Sequence, residues 1–471
     1  MAVKKKNITV GFIALGCPKN MVDSERMLAE ITQGGFVITA EPRDADVVVI
    51  NTCAFIAPAR AEAIKTIKKW VGHKNSRSRK PAKVIVAGCL PEKTGSSIVR
   101  EIDGVDAFVG LGQRDNIAAI IKKTLSWHGL PARRFTAKTV SEQPAFYPSD
   151  PTHKAKHPPD DRTRLLINPP HWAYLRISEG CNHRCSFCTI PSIRGKFRSK
   201  RPALVLAEAK ELVEAGVVEL NIIAQDTTGY GKDLKMRDGL ACLLKKLDKI
   251  NPLVWIRLMY LYPTGITEKL LETIARSSKV VHYLDIPIQH VSDGILRSMR
   301  RLGSADRLRT LIEKIRSFLP DVVLRTTLIV GYPGETESQF RELLDFVEWA
   351  QFDALGCFIF SPEPGTEAAT LPQQIPQQFK QQRLAELMLC QQKIAFAKNK
   401  NRIGSRITCL VDTVAQKGCA FCRFFGQAPD IDSRCIIKDN IAAPASYSIR
   451  PGQFIEAKVV GTKDYDLIVS L

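Results

Sequence analysis

The 471-residue chain has no apolar run approaching the roughly 20 residues a membrane helix needs, and charges interrupt its longest candidates. A soluble chain is expected. The start, MAVKKKNITVGFIALG, is basic but lacks a cleavage-like small-residue site and merges into a strand-like run, so the expectation is a cytosolic protein without a secretory leader. Acidic residues are also short: 48 Asp and Glu against 68 Lys and Arg leave a net charge of +20, which favours nucleic acid or a ribonucleoprotein as a partner without naming one. A reducing compartment argues against a structural disulfide set. The 13 cysteines are therefore read first as metal ligands or catalytic groups.

What is present is ample apolar material, 45% of residues, and a length that predicts two or three domains. ITVGFIAL (8–15), DVVVINTC (46–53) and KVIVAGC (83–89) are continuous apolar runs, followed by helical patterns from about Asp23, Pro58 and Gly95. Such alternation predicts a doubly wound parallel sheet over residues 1–127. Residues 128–166, rich in proline and without periodicity, read as a linker. From 167 to 401 six further strand–helix units follow, with strands at 171–178, 217–225, 253–260, 280–289, 322–331 and 353–361, and a closing helix at about 376–400. That spacing predicts a partial TIM-type (βα)6 barrel, whose chemistry belongs at the C-terminal strand ends. Short alternating runs over 402–471 predict a small β-barrel. No internal repeat appears beyond the βα units.

GCNHRCSFCTIP (180–191) places Cys181, Cys185 and Cys188 directly after the first of these later strands. Structural zinc wants four protein ligands and disulfides want pairs, so a tight trio suits neither. A cubane iron–sulfur cluster accounts for it, with three irons held by thiolates and the fourth open to a small molecule. The alternative is a zinc site completed by His183. The Cys181-x3-Cys185-x2-Cys188 spacing, with Phe187 before the last cysteine, resembles the signature of the radical S-adenosylmethionine (SAM) enzymes. The resemblance implies a [4Fe-4S] cluster that chelates SAM and cleaves it by one-electron reduction, while the protein positions the target hydrogen and excludes water.

Cys17, Cys53 and Cys89 each follow one of the first three strands and precede a helix, in LGC, NTC and AGC. Strand ends of a doubly wound sheet share one crevice, and helix N-termini favour the thiolate, so a second three-thiolate cluster is expected. Cys242, Cys357 and Cys390 are read instead as buried core thiols. The pair of trios resembles the methylthiotransferases, which join an N-terminal cluster domain, a radical SAM barrel and a C-terminal TRAM β-barrel. The resemblance covers nearly the whole chain and implies two [4Fe-4S] clusters facing a common cavity, the first carrying the sulfur to be inserted.

LGCPKNMVDSE (15–25), INTCAFIAPARAEAI (50–64), AQDTTGYG (224–231), PIQHVSDGILRSMRR (287–301) and QAPDIDS (427–433) are similar to the protein-directed branch rather than the tRNA-adenosine branch. That branch modifies the β-carbon of an aspartate in ribosomal protein S-12 of the small subunit. Residues 402–471 carry a net charge of only +2, whereas a barrel gripping tRNA should be the most basic part of the chain. The basic run HKNSRSRK (73–80) is read as a solvated loop in preference to a ribosomal RNA contact.

By the same resemblance, Gly331 and Gly334 lie against the adenosine of SAM, with a plain strand-to-helix turn as the alternative. Gln225, Gln289 and His290 at strand ends are candidates for contacting SAM or substrate, or else strand-end caps. Arg194 and Arg198 either neutralise a cluster, meet the substrate carboxylate or lie on the surface. Cys409, Cys419, Cys422 and Cys435 are read as ordinary thiols in preference to a small zinc site. The radical reading also implies an electron donor such as flavodoxin or ferredoxin. A competing class, a non-enzymatic RNA-binding protein stapled by iron–sulfur or zinc sites, is disfavoured because a staple gains nothing from a missing ligand.

Overall fold

A computed structural model describes residues 8–76, 80–126, 144–149, 158, 160–415, 419–437 and 449–471. Most of the expected linker, with residues 77–79 of the basic run, lies outside the described residues. The chain divides into two compact units: Met1–Ile167 with Glu179–Asn182 and Thr189–Arg198, and Asn168–Ser178 with His183–Cys188 and Ser199–Leu471. No helix of the described residues is long and apolar enough to cross a membrane.

In the first unit, β1 (Thr9–Ala14), β2 (Val37–Thr39), β3 (Val47–Thr52), β4 (Lys83–Gly88), β5 (Ala107–Val109) and β6 (Ala145–Tyr147) form one sheet in the order β2-β1-β3-β4-β5-β6. Every neighbouring pair is parallel. Successive side chains of a strand point to opposite faces, and both faces are apolar here. Val48, Ile50, Val84 and Val86 pack with Ala63, Ile67 and Trp70 of α2 (Ala57–Lys74). Val47, Val49, Ile85 and Ala87 pack with Met27 and Ile31 of α1 (Pro18–Gln33) and with Ile117, Ile120 and Ile121 of α5 (Ile117–Ser126). The short α3 (Cys89–Thr94) and α4 (Ile98–Glu101) connect β4 to β5.

Two boundaries differ from expectation. The first helix begins at Pro18, ahead of the expected Asp23, because proline at the first helical position loses no hydrogen bond. The segment read as linker supplies β6, whose three residues are too few to carry a periodic signal.

In the second unit the first strand is β7 (Trp172–Arg176). The two-residue strands β8 (Ser178–Glu179) and β9 (Arg198–Ser199) stand where the chain passes between the units and flank in sequence the three-cysteine loop and α6 (Ile190–Arg194), which belongs to the first unit. Strands β10 (Glu219–Ile223), β11 (Trp255–Leu258), β12 (Val280–Asp285), β13 (Val323–Val330) and β14 (Ala354–Ile359) complete a six-stranded parallel sheet in the order β14-β13-β12-β11-β10-β7. Helices α7 (Pro202–Glu214), α8 (Gly239–Leu247), α9 (Glu268–Arg276), α10 (Asp293–Ser298), α11 (Ala305–Phe318) and α12 (Glu337–Ala350) connect its strands, and α13 (Gln377–Asn401) ends it. This is the expected partial (βα)6 barrel.

Strands β15 (Arg406–Ala415), β16 (Cys419–Phe424), β17 (Cys435–Ile437), β18 (Phe454–Lys463) and β19 (Asp466–Ser470) close into a barrel in the order β15-β16-β17-β19-β18. A buried ionic network joins this barrel to the central sheet. Arg423 pairs with Glu219 at 2.8 Å and with Asp412 at 2.7 Å, and Asp412 reaches His171 at 2.9 Å. Arg257 pairs with Glu219 at 2.9 Å and donates to the Phe425 carbonyl at 2.5 Å. Asp432 accepts from the Tyr283 hydroxyl at 2.7 Å and from the Ala428 amide at 2.9 Å. The QAPDIDS segment thus has a structural task of its own, seating the small barrel against strand β12.

Candidate active site

The first trio is assembled by the topology. Strand order reverses between β1 and β3, and the crevice at such a switch point is where doubly wound sheets bind ligands. Cys17 precedes α1, Cys53 follows β3 and Cys89 opens α3 directly after β4. Two glycines allow the approach. Gly16 and Gly88 have φ of +98° and +99°; a Cβ on Gly16 would lie 2.5 Å from Cys53 Cβ, and one on Gly88 would lie 2.2 Å from Asn51 Oδ1. Asn51 in turn donates to the Asn20 carbonyl at 3.0 Å and to Ser24 Oγ at 2.7 Å, tying down the first two turns of α1.

The three thiols sense one another electrostatically. Burial pushes the Cys53 thiol up, and the charge of Cys17 adds to this. Burial pushes Cys89 up to about 12; Arg194 opposes it, while Cys53 and Cys17 add to it. Arg194, allowed a surface role by the sequence, is buried. Its guanidinium pairs with Asp23 at 2.9 Å and Glu179 at 2.8 Å and lies 3.4 Å from Cys89 Sγ. Two carboxylates therefore orient one cation against one thiol, a charge-assisted arrangement that would stabilise an anionic cluster there. Neither acid announced itself in the sequence, since Asp23 and Glu179 are far apart along the chain.

The second trio lies in the loop between β8 and α6. The Cys181 amide donates to the Gly195 carbonyl and the Cys188 amide to the Cys185 carbonyl, both at 3.1 Å. Ser186 pins the loop: its amide donates to the Met299 carbonyl at 3.1 Å, and its hydroxyl contacts Tyr332 Oη at 2.8 Å. His183, weighed as a zinc ligand, bonds Asp226 at 2.8 Å and stacks on Tyr262 with ring centroids 3.8 Å apart and planes at 11°. Arg301 covers Tyr262 at 4.6 Å and lies 3.8 Å from Cys185 Sγ. His183 is thus engaged in a rim stack of Asp226, His183, Tyr262 and Arg301, of which the sequence reading found only the histidine.

Both amide atoms of Gln225 and Nε2 of His290 are buried without a hydrogen-bond partner. Buried polar atoms are ordinarily paired, so these two residues fit a polar ligand such as SAM. Gln289 has its backbone locked to β13, its amide donating to the Thr327 carbonyl at 2.9 Å and its carbonyl accepting from Ile329 at 2.8 Å. Gly331 has a reason of its own: its amide donates to Glu335, and a Cβ there would lie 2.4 Å from Lys380 Cγ. Gly334 donates to the Gln373 carbonyl at 3.0 Å. Those contacts build a strand-to-helix turn at both glycines.

The three cysteines expected in the core are not fully buried. Cys242 is exposed on α8, while Cys357 on edge strand β14 and Cys390 on α13 are half-buried. An edge strand and an outward helix face leave such side chains partly uncovered. Cys409, Cys422 and Cys435 converge in the small barrel, with all three Sγ atoms within 4.8 Å of one another; Cys419 is not of this group.

Three family models match: an uncharacterised protein family (UPF0004) over residues 9–110, the radical SAM superfamily over 175–347, and the TRAM domain over 403–471. The ribosomal protein uS12 methylthiotransferase RimO of Pelotomaculum thermopropionicum is 41% identical, with 98% of each chain covered. Its counterpart from Citrifermentans bemidjiense is 40% identical, covering 99% of this chain and 98% of its own, and that from Geobacter sulfurreducens is 41% identical over 98% and 97%. Among solved structures, the radical SAM methyltransferase TsrM of Kitasatospora setae superposes with a TM-score of 0.53 over 77% of each chain at 14% identity, a likeness of fold.

Proposed function

The chain belongs to the RimO methylthiotransferase family, and from that premise we infer that it adds a methylthio group to the β-carbon of an aspartate in ribosomal protein uS12. The observation that carries this reading is the gathering of Cys17, Cys53 and Cys89 at one sheet edge in a chain that also holds the Cys181, Cys185, Cys188 loop. Each trio suits a [4Fe-4S] cluster with one iron left open. When bound, the clusters and SAM supply the one-electron reduction, the hydrogen abstraction and the methylated sulfur.

The chain's own residues hold and orient. Cys17, Cys53 and Cys89 would grip the cluster that bears the sulfur, and Arg194 would offset its negative charge while Asp23 and Glu179 keep the guanidinium in place. Cys181, Cys185 and Cys188 would grip the SAM cluster, in a loop that Ser186 holds in position. Gln225 and His290 would bind the polar groups of SAM; Gln289, Gly331 and Gly334 would shape the same pocket through their backbone. Ligands bind as thiolates, so loading the first cluster would release the protons of Cys53 and Cys89, and burial, which pushes both thiols up, adds to the cost of that step. Electrons would come from a flavodoxin or ferredoxin.

The test is mass spectrometry of uS12 and of bulk tRNA from a strain lacking this protein. Loss of the methylthio increment on uS12 with tRNA unchanged is expected. Loss on tRNA adenosine instead would reassign the substrate.

A further inference from the structure

The small C-terminal barrel contains a third thiol trio that the reaction does not use. Cys422 and Cys435 are directly opposed in the antiparallel pair of β16 and β17. On β15, Cys409 is opposed to Phe424, which makes it the diagonal neighbour of Cys422. Strand alternation turns all three side chains inward, and each is fully buried, at 0% exposure. Isolated core cysteines pack as small hydrophobes against aliphatic neighbours. Here sulfur faces sulfur from three separate strands, in the one group of potential ligands among the described residues whose donor atoms all lie within 4.8 Å.

A candidate fourth donor stands beside one of the three sulfurs. Gln427 Oε1 lies 3.2 Å from Cys435 Sγ. The residue is 3% exposed, and its amide group is oriented by its own bonds, with Nε2 donating to Ser433 Oγ at 3.1 Å and Oε1 accepting from the Phe424 amide at 3.2 Å. Such outer hydrogen bonds are what fix a ligand's direction. Zinc–sulfur bonds of about 2.3 Å put tetrahedral sulfurs roughly 3.8 Å apart, so the trio needs to contract by about 1 Å at most.

We propose that Cys409, Cys422 and Cys435 form a structural zinc site inside the barrel, with the Gln427 side-chain oxygen as the fourth ligand. Binding Zn2+ releases the three thiol protons to solvent and leaves the site with a single negative charge, without any change of oxidation state. None of the thiols reaches the surface, so the ion enters while the barrel closes. Once bound it ties β15, β16 and β17 together.

The decisive measurement is made on the full chain, purified from zinc-replete cells and carrying both iron–sulfur clusters. About one zinc per chain is expected beside the iron, with an absorption-edge spectrum fitted by about three sulfurs near 2.3 Å and one oxygen near 2.0–2.1 Å. Cys422→Ala should lower zinc at least fivefold while leaving iron unchanged, and Cys419→Ala should leave both unchanged. A wild-type protein without zinc, a sulfur-free shell, copper in place of zinc, or zinc that follows Cys419 would each overturn the proposal. Because the spectrum is read on wild-type protein, the outcome does not depend on whether Cys422→Ala folds.

Discussion

The first trio, Cys17, Cys53 and Cys89, and the third, Cys409, Cys422 and Cys435, are built by the same device: three strands of one sheet each contribute a single thiol. They differ in where along the strand the thiol sits. In the parallel sheet the cysteines stand at or just past the strand ends, Cys17 remains partly accessible, and a buried Arg194 reaches one sulfur. In the closed barrel Cys409 and Cys422 stand within their strands and Cys435 opens its own, all three sealed at 0% exposure. Strand ends abut loops and helix N-termini, where substrates can arrive. Strand interiors meet only the core. On the proposed roles, access at the strand ends against burial between paired strands would separate a thiol set placed for chemistry from one placed for architecture.

The comparison breaks most sharply at Cys53. Cys53→Ala should abolish methylthiolation of uS12 and remove roughly half of the iron, leaving the SAM cluster's share; iron analysis alongside product mass spectrometry checks both. Retention of activity would mean that the strand-end thiols do no chemistry. Next in size is Arg423→Gln, which leaves buried Glu219 with Arg257 alone and takes the guanidinium partner from the partly exposed Asp412. Leaving a buried charge uncompensated costs about 3–5 kcal/mol; with Arg257 still paired to Glu219, denaturant unfolding should show a loss near the lower end of that range, while the iron content of the folded protein stays unchanged. Arg194→Lys sharpens the contrast from the other side. It keeps a charge near Asp23 and Glu179 but loses the planar fork that also reaches Cys89, so stability should change little while activity falls roughly 10- to 100-fold.

How far these sites were legible follows from the range of the signals involved. The positions of both trios were readable: CNHRCSFC is contiguous, and LGC, NTC and AGC each follow an apolar strand, so local pattern plus the rule for strand ends anticipated where the chain places these thiols. The strands of the (βα)6 sheet were legible for the same reason. What local pattern cannot carry is pairing across the fold. Asp23 and Glu179 meet at Arg194 from 156 residues apart, Tyr262 and Arg301 reach the cysteine loop from other βα units, and the convergence of Cys409, Cys422 and Cys435 depends on strand register. Three-residue strands such as β6 give no periodicity at all.

The smallest effect expected lies at the rim and is read through pH. Burial raises the Asp226 carboxyl, but bonds from His183, the Thr228 hydroxyl and the Gly229 amide outweigh it and hold the group below its ordinary range. A folded-state pKa below the unfolded value means that the ionised form contributes stability above the ordinary carboxylate range, and that this contribution fades as the pH falls through the folded value. Asp226→Asn should therefore destabilise by about 1–3 kcal/mol at neutral pH, with the gap from wild type closing in acid. Denaturant unfolding across the acid range provides the check. A gap that stayed constant with pH would assign Asp226 a packing role and remove the rim stack's electrostatic part from its contrast with the sealed thiols of the barrel.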